Sequence, residues 1–168
     1  MHLFIVDAET DGLYGGFLSV AALVTGEDGT EIDHFYGAVD VSKEEISSRW
    51  VRDNVYPMLT FAEKRFASEH ELLEAFWLFW IKYREEAVCI ADVGYPVEAR
   101  LFMRCVMNDE KNREFLGPYP LIDLSSILLA SGVDPNMDRQ ILAEVPLVRH
   151  DAMNDVRMTL SIWLKYGK

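Results

Sequence analysis

The pattern of apolar and polar positions predicts three strands at the start of the chain. Apolar residues dominate segments 3–8, 17–25 and 31–39, and each segment has the length of an ordinary strand. The Gly-Glu-Asp-Gly sequence at residues 26–29 has the turn chemistry that joins neighbouring antiparallel strands. Because the connections are short, we expect these strands to pair as an antiparallel meander.

The remainder of the chain alternates between helical periodicity and short apolar segments. The clearest helix is predicted over residues 68–83, where apolar side chains recur at helical spacing after a capping box formed by Ser68 and Glu71. We interpret the aromatic stripe of this helix as core packing rather than as a ligand-stacking face. The other predicted elements are helices over residues 47–59, from Pro96 onward, over 125–130 and over 150–166, and strands over 87–91 and 121–124.

This order of elements predicts an α/β fold, in which helices flank a mixed sheet with an antiparallel three-stranded start and further parallel strands. The 168 residues, half of them hydrophobic, contain no repeat or linker-like tract, so we expect a single domain spanning residues 1–168. No apolar run reaches the roughly 18–20 residues that span a bilayer, and the N-terminus lacks the basic region of a signal peptide. The cysteines form no C-x-x-C pair. We therefore expect a cytoplasmic protein without a membrane segment.

The chain carries a net charge of −12, from 28 acidic and 16 basic residues. This balance argues against tight, sequence-independent binding of duplex DNA, which normally requires a basic surface. It does not exclude a nucleic-acid substrate, because bound divalent cations and a few local basic residues can hold a polyanion.

The sequence Asp7-Ala8-Glu9 stands at the end of the first predicted strand. Side chains two residues apart in a strand lie on the same side of the sheet, so Asp7 and Glu9 are expected to face the same space. Two adjacent carboxylates repel each other unless a cation neutralises them, and Mg²⁺ or Mn²⁺ prefers such oxygen ligands. The alternative is that Glu9 is simply solvated in a loop.

Two further acidic regions accompany this pair. His150 and Asp155 lie near the start of the last predicted helix, where a neutral imidazole can deprotonate water and the carboxylate can bind a metal ion. The alternative is a capping histidine and an exposed helix residue. Between the two ends, either Asp92 at a strand end or Glu98 in a first helical turn is expected to face the same cleft. Glu98 has the alternative role of an acidic residue that interacts favourably with the helix dipole.

In this order, the three regions resemble the DEDDh 3′→5′ exonucleases, the DnaQ-like branch of the ribonuclease H-like superfamily. Residues 7–12 (Asp-Ala-Glu-Thr-Asp-Gly) look like the first motif of that family, D-x-E-T-x-G. Residues 150–155 match its last motif, H-x-A-x-x-D, at every fixed position, and residues 122–124 resemble its short I-D-T/L strand. The compact length and residues 50–57 are most similar to a small bacterial exoribonuclease-like subgroup.

The middle motif departs from the family pattern. The family usually has H-N-x-x-F-D, whereas this sequence contains no His-Asn pair. Aligning residues 97–102 with F-D-x-x-F-L puts Glu98 at the position of the aspartate. Because glutamate is one methylene longer, it can still reach a metal ion directly or through water. We therefore prefer Glu98 and keep Asp92 as the competing ligand.

The resemblance implies a metal-dependent hydrolase of phosphodiesters. The implied cofactors are two divalent cations, Mg²⁺ or Mn²⁺, bound by Asp7, Glu9, Glu98 and Asp155, with His150 as the general base for the attacking water. The implied substrate is the 3′ end of single-stranded RNA or DNA, and the product is a nucleoside 5′-monophosphate. A homodimer is a further expectation from the family.

The resemblance also implies that Thr10 and Leu13, after the first strand, contact the terminal nucleotide. The family uses the backbone of this loop for the 3′ hydroxyl and an apolar side chain as a wedge against the base. RNA and DNA stay open as alternatives, because contacts with the 2′ hydroxyl decide between them. Two other functions remain as alternatives: a catalytically impaired nucleic-acid-binding or protein-binding module of the same fold, and a ribonuclease H-like endonuclease. Candidate phosphate contacts are Arg100, Arg104, Arg139 and Arg149, and the alternative for each of them is a solvated surface role.

Overall fold

The computed structural model describes residues 1–144 and 147–167. Within these residues the fold is α/β and is built on one mixed sheet. Its six strands are β1 (His2–Thr10), β2 (Phe17–Thr25), β3 (Glu31–Val39), β4 (Lys64–Phe66), β5 (Ala87–Ala91) and β6 (Leu121–Asp123).

The strand order β4-β3-β2-β1-β5-β6 places β1 at the middle of the sheet. Strands β1, β2 and β3 form the predicted antiparallel meander, and β5 and β6 add to it in parallel. The predicted fold class is therefore confirmed, and the arrangement is compatible with a ribonuclease H-like sheet. Strand β4, which pairs in parallel with β3, was not predicted because it is only three residues long.

The helices cover both faces of this sheet. Within residues 1–144 and 147–167, none of them is long and apolar enough to cross a membrane. The α-helices are α1 (Arg49–Asn54), α2 (Glu69–Tyr83), α3 (Ala99–Met107), α4 (Glu110–Arg113), α5 (Leu124–Ala130), α6 (Arg139–Ala143) and α7 (Ala152–Tyr166). Short 3₁₀ segments occupy Lys43–Glu45 and Tyr56–Phe61, and a wide π-type turn occupies Gly94–Glu98.

Alternate side chains of β1 belong to different halves of the core. Phe4 packs in the cluster that contains α2 and α3, whereas Leu3 and Ile5 pack in the cluster that contains α7. Because side chains alternate along a strand, Asp7 and Glu9 continue the row of Leu3 and Ile5 on the α7 side. The strand therefore directs its two carboxylates toward the beginning of α7.

Two predicted helices are shorter than the sequence pattern indicated. The segment predicted over residues 47–59 contains α1, which ends at Asn54, followed by a 3₁₀ turn around Pro57. The helix predicted from Pro96 begins only at Ala99, because the preceding residues form the wide turn. Glu98 consequently lies at the junction of turn and helix rather than inside a first helical turn.

The last helix also begins later than predicted. Asp151 is its N-cap, and the carboxylate accepts hydrogen bonds from the backbone N–H groups of Met153 and Asn154, at 3.0 and 3.3 Å. His150 has a φ of 62°, in the left-handed region, and therefore lies outside the helix. The prediction of a helix that includes His150 is wrong, because Asp151 is the N-cap and the helix begins at the next residue, Ala152.

Helix α2 supports the interpretation of its aromatic stripe as core. Its N-cap Ser68 accepts a hydrogen bond from the Glu71 N–H, but the Glu71 carboxylate accepts from the N–H of Ala67 rather than from that of Ser68. Only half of the predicted capping box therefore forms in this helix. Phe76 and Trp80 are buried in the cluster beneath the sheet.

Replacing Phe76 with Ala should lower the free energy of unfolding by about 3–5 kcal/mol, as measured by chemical denaturation. The ring is fully buried and contacts the rings of Phe4, Phe35 and Phe102. Leu78→Ala on the same helix is the matched control, because Leu78 is 71% exposed. Its effect should stay within about 0.5 kcal/mol. Equal losses for the two variants would contradict this assignment of the core face.

Candidate functional site

The acidic residues singled out in the sequence converge on one cleft, whose volume is about 690 Å³. Its walls come from the end of β1 and the loop that follows it, the turn before α3, and the segments that lead into α6 and α7. The candidate catalytic and metal-binding residues that line it are Asp7, Glu9, Glu98, His150 and Asp155.

A gap between two parallel strands makes room for this cluster. The register of β1 with β5 runs from His2↔Ala87 to Ile5↔Ile90, whereas β1 continues past that point alongside β2. The free edge of β1 therefore faces the turn before α3. There, the backbone N–H of Ala8 forms a hydrogen bond with the carboxylate of Glu98.

Asp7 has a buried oxygen without a partner. Its Oδ2 atom is inaccessible to solvent and accepts no hydrogen bond from the described residues. Burial raises the pKa of Asp7 well above its usual value, and the negative charges of Glu98, Glu9 and Asp155 raise it further. A buried carboxylate of this kind is costly unless a cation binds to it. The donor set therefore fits a hard divalent cation.

The pKa values of the neighbouring carboxyl groups are also raised. Burial is the main reason that the pKa of Glu9 rises to about 8 and that the pKa values of Glu98 and Asp155 rise to about 7. Two backbone N–H groups oppose the shift at Glu98, and the N–H of His150 opposes it at Asp155. Near neutral pH the cluster is therefore partly protonated in the absence of a cation, because the surrounding protein does not compensate the charge of four ionised carboxylates.

His150 is held at the edge of this cluster by its backbone and its ring. Its N–H donates to Asp155 Oδ2 at 3.0 Å, and its Nδ1 atom lies 3.9 Å from Glu9 Oε1. The ring of Trp50 packs against the imidazole at 85°, with ring centroids 4.8 Å apart. Burial lowers the pKa of His150, and the charge of Arg149 lowers it further. The imidazole is therefore neutral at neutral pH and can accept a proton.

Glu9, His150 and Asp155 are also close enough to share one ion. One ligand atom from each lies within 4.8 Å of the other two. The three side chains are half-buried, so a cation between them would still be accessible from the cleft.

The two competing acidic residues of the middle region have different surroundings. Arg139 Nε donates to both carboxylate oxygens of Asp92, at 2.7 and 2.9 Å, and Arg139 Nη2 donates to Ser125 Oγ at 2.7 Å. Asp92 thus has its own counterion. Glu98 is only 6% exposed and is the strongest charged neighbour of Asp7. The geometry therefore favours Glu98 as the third acidic ligand.

The two candidate substrate contacts, Thr10 and Leu13, have different surroundings. Thr10 is buried, and its hydroxyl donates to the carbonyl of Gly12 at 2.7 Å, so this side chain serves the turn and does not line the cleft. Leu13 is 61% exposed and lines the cleft. Of these two residues, only Leu13 therefore presents its side chain to the cleft.

Two residues whose role the sequence did not indicate hold this loop in place. Asp11 accepts hydrogen bonds from the backbone N–H groups of Ser47 and Ser48, at 2.7 and 2.9 Å, and so connects the loop to the start of α1. Arg100, expected as a phosphate contact, instead donates to the loop carbonyls of residues 13–15. Asp11 occupies the second variable position of the motif D-x-E-T-x-G. An acidic residue at that position was the one sequence feature that could have drawn attention to it.

Comparison with known proteins gives no family assignment. No protein-family model matches this chain, and no curated protein matches it significantly. The chemistry of the cleft is therefore inferred from its own residues.

Replacing Asp7 with Asn should stabilise the metal-free protein at pH 8 by about 0.5–2 kcal/mol, because it removes a buried carboxyl whose ionisation is disfavoured in the folded protein. The raised pKa values mean that the folded protein binds more protons than the unfolded chain above about pH 4. The contribution of these carboxyl groups to stability is therefore lost as the pH rises from about 4 toward 8, and the gain from Asp7→Asn should shrink as the pH is lowered.

Urea denaturation in the presence of a chelator, at several pH values, measures this effect. Asp53→Asn on α1 is the control, because the Asp53 side chain is 55% exposed and lies outside the residues that line the cleft. A loss of stability in Asp7→Asn at pH 8 would contradict the repulsion described above.

Glu98→Gln and Asp92→Asn should affect different properties: the first should lower the metal affinity, and the second should lower the stability. Loss of a direct ligand in Glu98→Gln should weaken Mn²⁺ binding by at least about tenfold. Asp92→Asn should keep that affinity but lower the free energy of unfolding by about 1–3 kcal/mol, because Arg139 loses its counterion. Calorimetric Mn²⁺ titration and urea denaturation separate the two effects. Loss of Mn²⁺ binding in Asp92→Asn alone would reverse the assignment.

Proposed function

We propose that this protein is a metal-dependent 3′→5′ exonuclease that releases nucleoside 5′-monophosphates from single-stranded RNA or DNA. The observation that carries the proposal is the convergence of Asp7, Glu9, Glu98 and Asp155 on one cleft beside His150. The order of these residues along the chain, and the resemblance of their motifs to those of DEDDh exonucleases, support the same reading.

Divalent cations would bind to these four carboxylates. The partnerless Oδ2 atom of Asp7 and the raised pKa of Glu9 indicate that the cluster lacks positive charge. When bound, two Mg²⁺ or Mn²⁺ ions would supply Lewis-acid activation of water and stabilise charge at the leaving oxygen. The carboxylates of the protein would hold the ions in the cleft, and the ions would offset the negative charge that otherwise repels a substrate phosphate.

His150 acts in this proposal as the general base. Its neutral imidazole accepts a proton as the oxygen of a water molecule attacks the phosphorus of the terminal phosphodiester. The bond to the 3′ oxygen of the preceding nucleotide breaks, and that oxygen takes up a proton from solvent. Trp50 and the hydrogen bond to Asp155 hold the histidine at the edge of the carboxylate cluster.

The loop after β1 would receive the terminal nucleotide. The exposed side chain of Leu13 offers an apolar contact for a base, while Thr10, Asp11 and Arg100 fix the shape of the loop. A cytoplasmic location is also part of the proposal, because Cys89 and Cys105 are free thiols rather than partners in a disulfide.

Incubation with a 5′-labelled single-stranded oligonucleotide and Mn²⁺, with and without a chelator, tests the activity. Stepwise shortening from the 3′ end that the chelator abolishes supports the exonuclease. Binding of intact oligonucleotide without cleavage would instead favour the impaired binding module, to which the glutamate at the middle position points. Internal cuts, or degradation of a circular strand, would indicate an endonuclease. RNA and DNA oligonucleotides of the same sequence establish the sugar preference.

His150→Asn should slow cleavage by about 10²–10⁴-fold, the usual contribution of a positioned general base. Asparagine is chosen because it tolerates the left-handed backbone at this position, where φ is 62°. Mn²⁺ affinity should be retained, since the carboxylates remain. The control is His70→Asn, a substitution of an exposed histidine on α2. An unchanged rate in His150→Asn would remove this residue from the mechanism.

A further inference from the structure

The cleft contains positive as well as negative side chains. Arg139 and Arg149 are the basic residues among the described residues that line it. The Arg139 side chain is 15% exposed, and it donates to Asp92, to Ser125 and to the carbonyl of Met137. Each of its three nitrogens thus donates to a group in the wall of the cleft, and a substrate could engage the guanidinium fully only by breaking these contacts.

Arg149 has a different environment. Its side chain is 43% exposed and forms an ion pair with Asp138, whose side chain is 42% exposed. Both residues line the cleft. Exposed ion pairs of this kind are weak, because water screens the two charges. A stronger anion can therefore compete with Asp138 for the guanidinium.

Arg149 also lies within electrostatic reach of the proposed catalytic group. It directly precedes His150 in the sequence, and its charge lowers the pKa values of His150 and Asp155. Arg149 therefore lies in the same cleft as the residues that would act on a phosphodiester, next to His150.

Acidic side chains outnumber basic side chains among the residues that line the cleft. Six carboxylates line it, against the two arginines. Besides cations bound to the acidic cluster, each basic side chain that contacts a phosphate adds to the affinity for a polyanionic strand. The guanidinium group is suited to this task, because its planar donors can bind two phosphate oxygens at once. The carboxylates are Asp7, Glu9, Asp92, Glu98, Asp138 and Asp155.

We propose that Arg149 binds a phosphate of the nucleic-acid substrate, and that Asp138 holds the guanidinium in place until the substrate displaces it. This inference rests on the proposed nuclease function. Asp138 can release Arg149 without losing all of its partners, because its Oδ1 atom also accepts a hydrogen bond from the Gln140 N–H, at 2.8 Å, as the N-cap of α6. The exchange therefore leaves the wall of the cleft intact.

Two substitutions at this pair change the substrate affinity in opposite directions. Arg149→Gln removes the phosphate contact and should raise KM by about tenfold or more, with little change in kcat. Asp138→Asn keeps a good N-cap residue for α6 but removes the competing charge. It should lower KM by up to about fivefold, the fold-change expected for an exposed ion pair.

The experiment measures kcat and KM with a short 5′-labelled single strand and Mg²⁺, at several salt concentrations. Loss of one phosphate contact should reduce the slope of log(kcat/KM) against log[salt] by about 0.7 in Arg149→Gln. Arg157→Gln is the matched control, because Arg157 is an exposed arginine on α7 outside the residues that line the cleft. Fluorescence anisotropy with the same strand, in a His150→Asn background, measures affinity without turnover.

The outcomes separate this inference from the proposed function. A raised KM in Arg149→Gln, a lowered KM in Asp138→Asn and an unchanged Arg157→Gln support the inference. If the wild type cleaves the strand but Arg149→Gln matches Arg157→Gln in KM and salt slope, the inference is wrong and the proposed function stands. A fall in kcat alone would also overturn it, since Arg149 would then act through His150. Absence of cleavage and of binding by the wild type would overturn the proposed function, and this inference with it.

Discussion

Mutual repulsion among carboxylates that are withdrawn from water is the constraint on which the site depends. Burial and proximity raise the pKa of Asp7 well above its usual value and that of Glu9 to about 8, and Asp7 keeps an oxygen that no described residue contacts. Such a cluster lowers the stability of the protein alone. A divalent cation bound in this cluster would relieve that cost, and the relief would add to its binding free energy.

The fold can hold this cluster because β1 extends beyond the end of its parallel neighbour β5. Strand β1 runs past the end of β5, so the carboxylates on one face meet Glu98 from the turn before α3 and Asp155 from the first turn of α7. Apolar packing on both faces of β1 fixes its position, with Phe4 on one side and Ile5 on the other. The stable core thus supports a local arrangement that would not be stable by itself.

Local patterns predicted most of the sheet. The strands over 17–25, 31–39 and 87–91 match their predicted bounds. An apolar run between turn residues can be recognised from the local sequence, without knowledge of which strands lie beside it. Strand β4 was missed, since its three residues pair with the edge of β3 and are defined by that contact alone. The late start of α7 was missed for a related reason, because periodicity does not reveal which residue caps a helix.

The sequence by itself determined that Asp7 and Glu9 share a side of the sheet, because alternation along a strand is a property of the backbone. It favoured Glu98 over Asp92 only through alignment with the middle motif, since both are acidic residues near one strand end. Only the tertiary structure shows their different surroundings. Arg139, 47 positions further along the chain, forms an ion pair with Asp92, whereas Glu98 is buried and is the strongest charged neighbour of Asp7. Whether a carboxylate needs a cation depends on which charges the folded chain brings beside it, and sequence spacing does not contain that information.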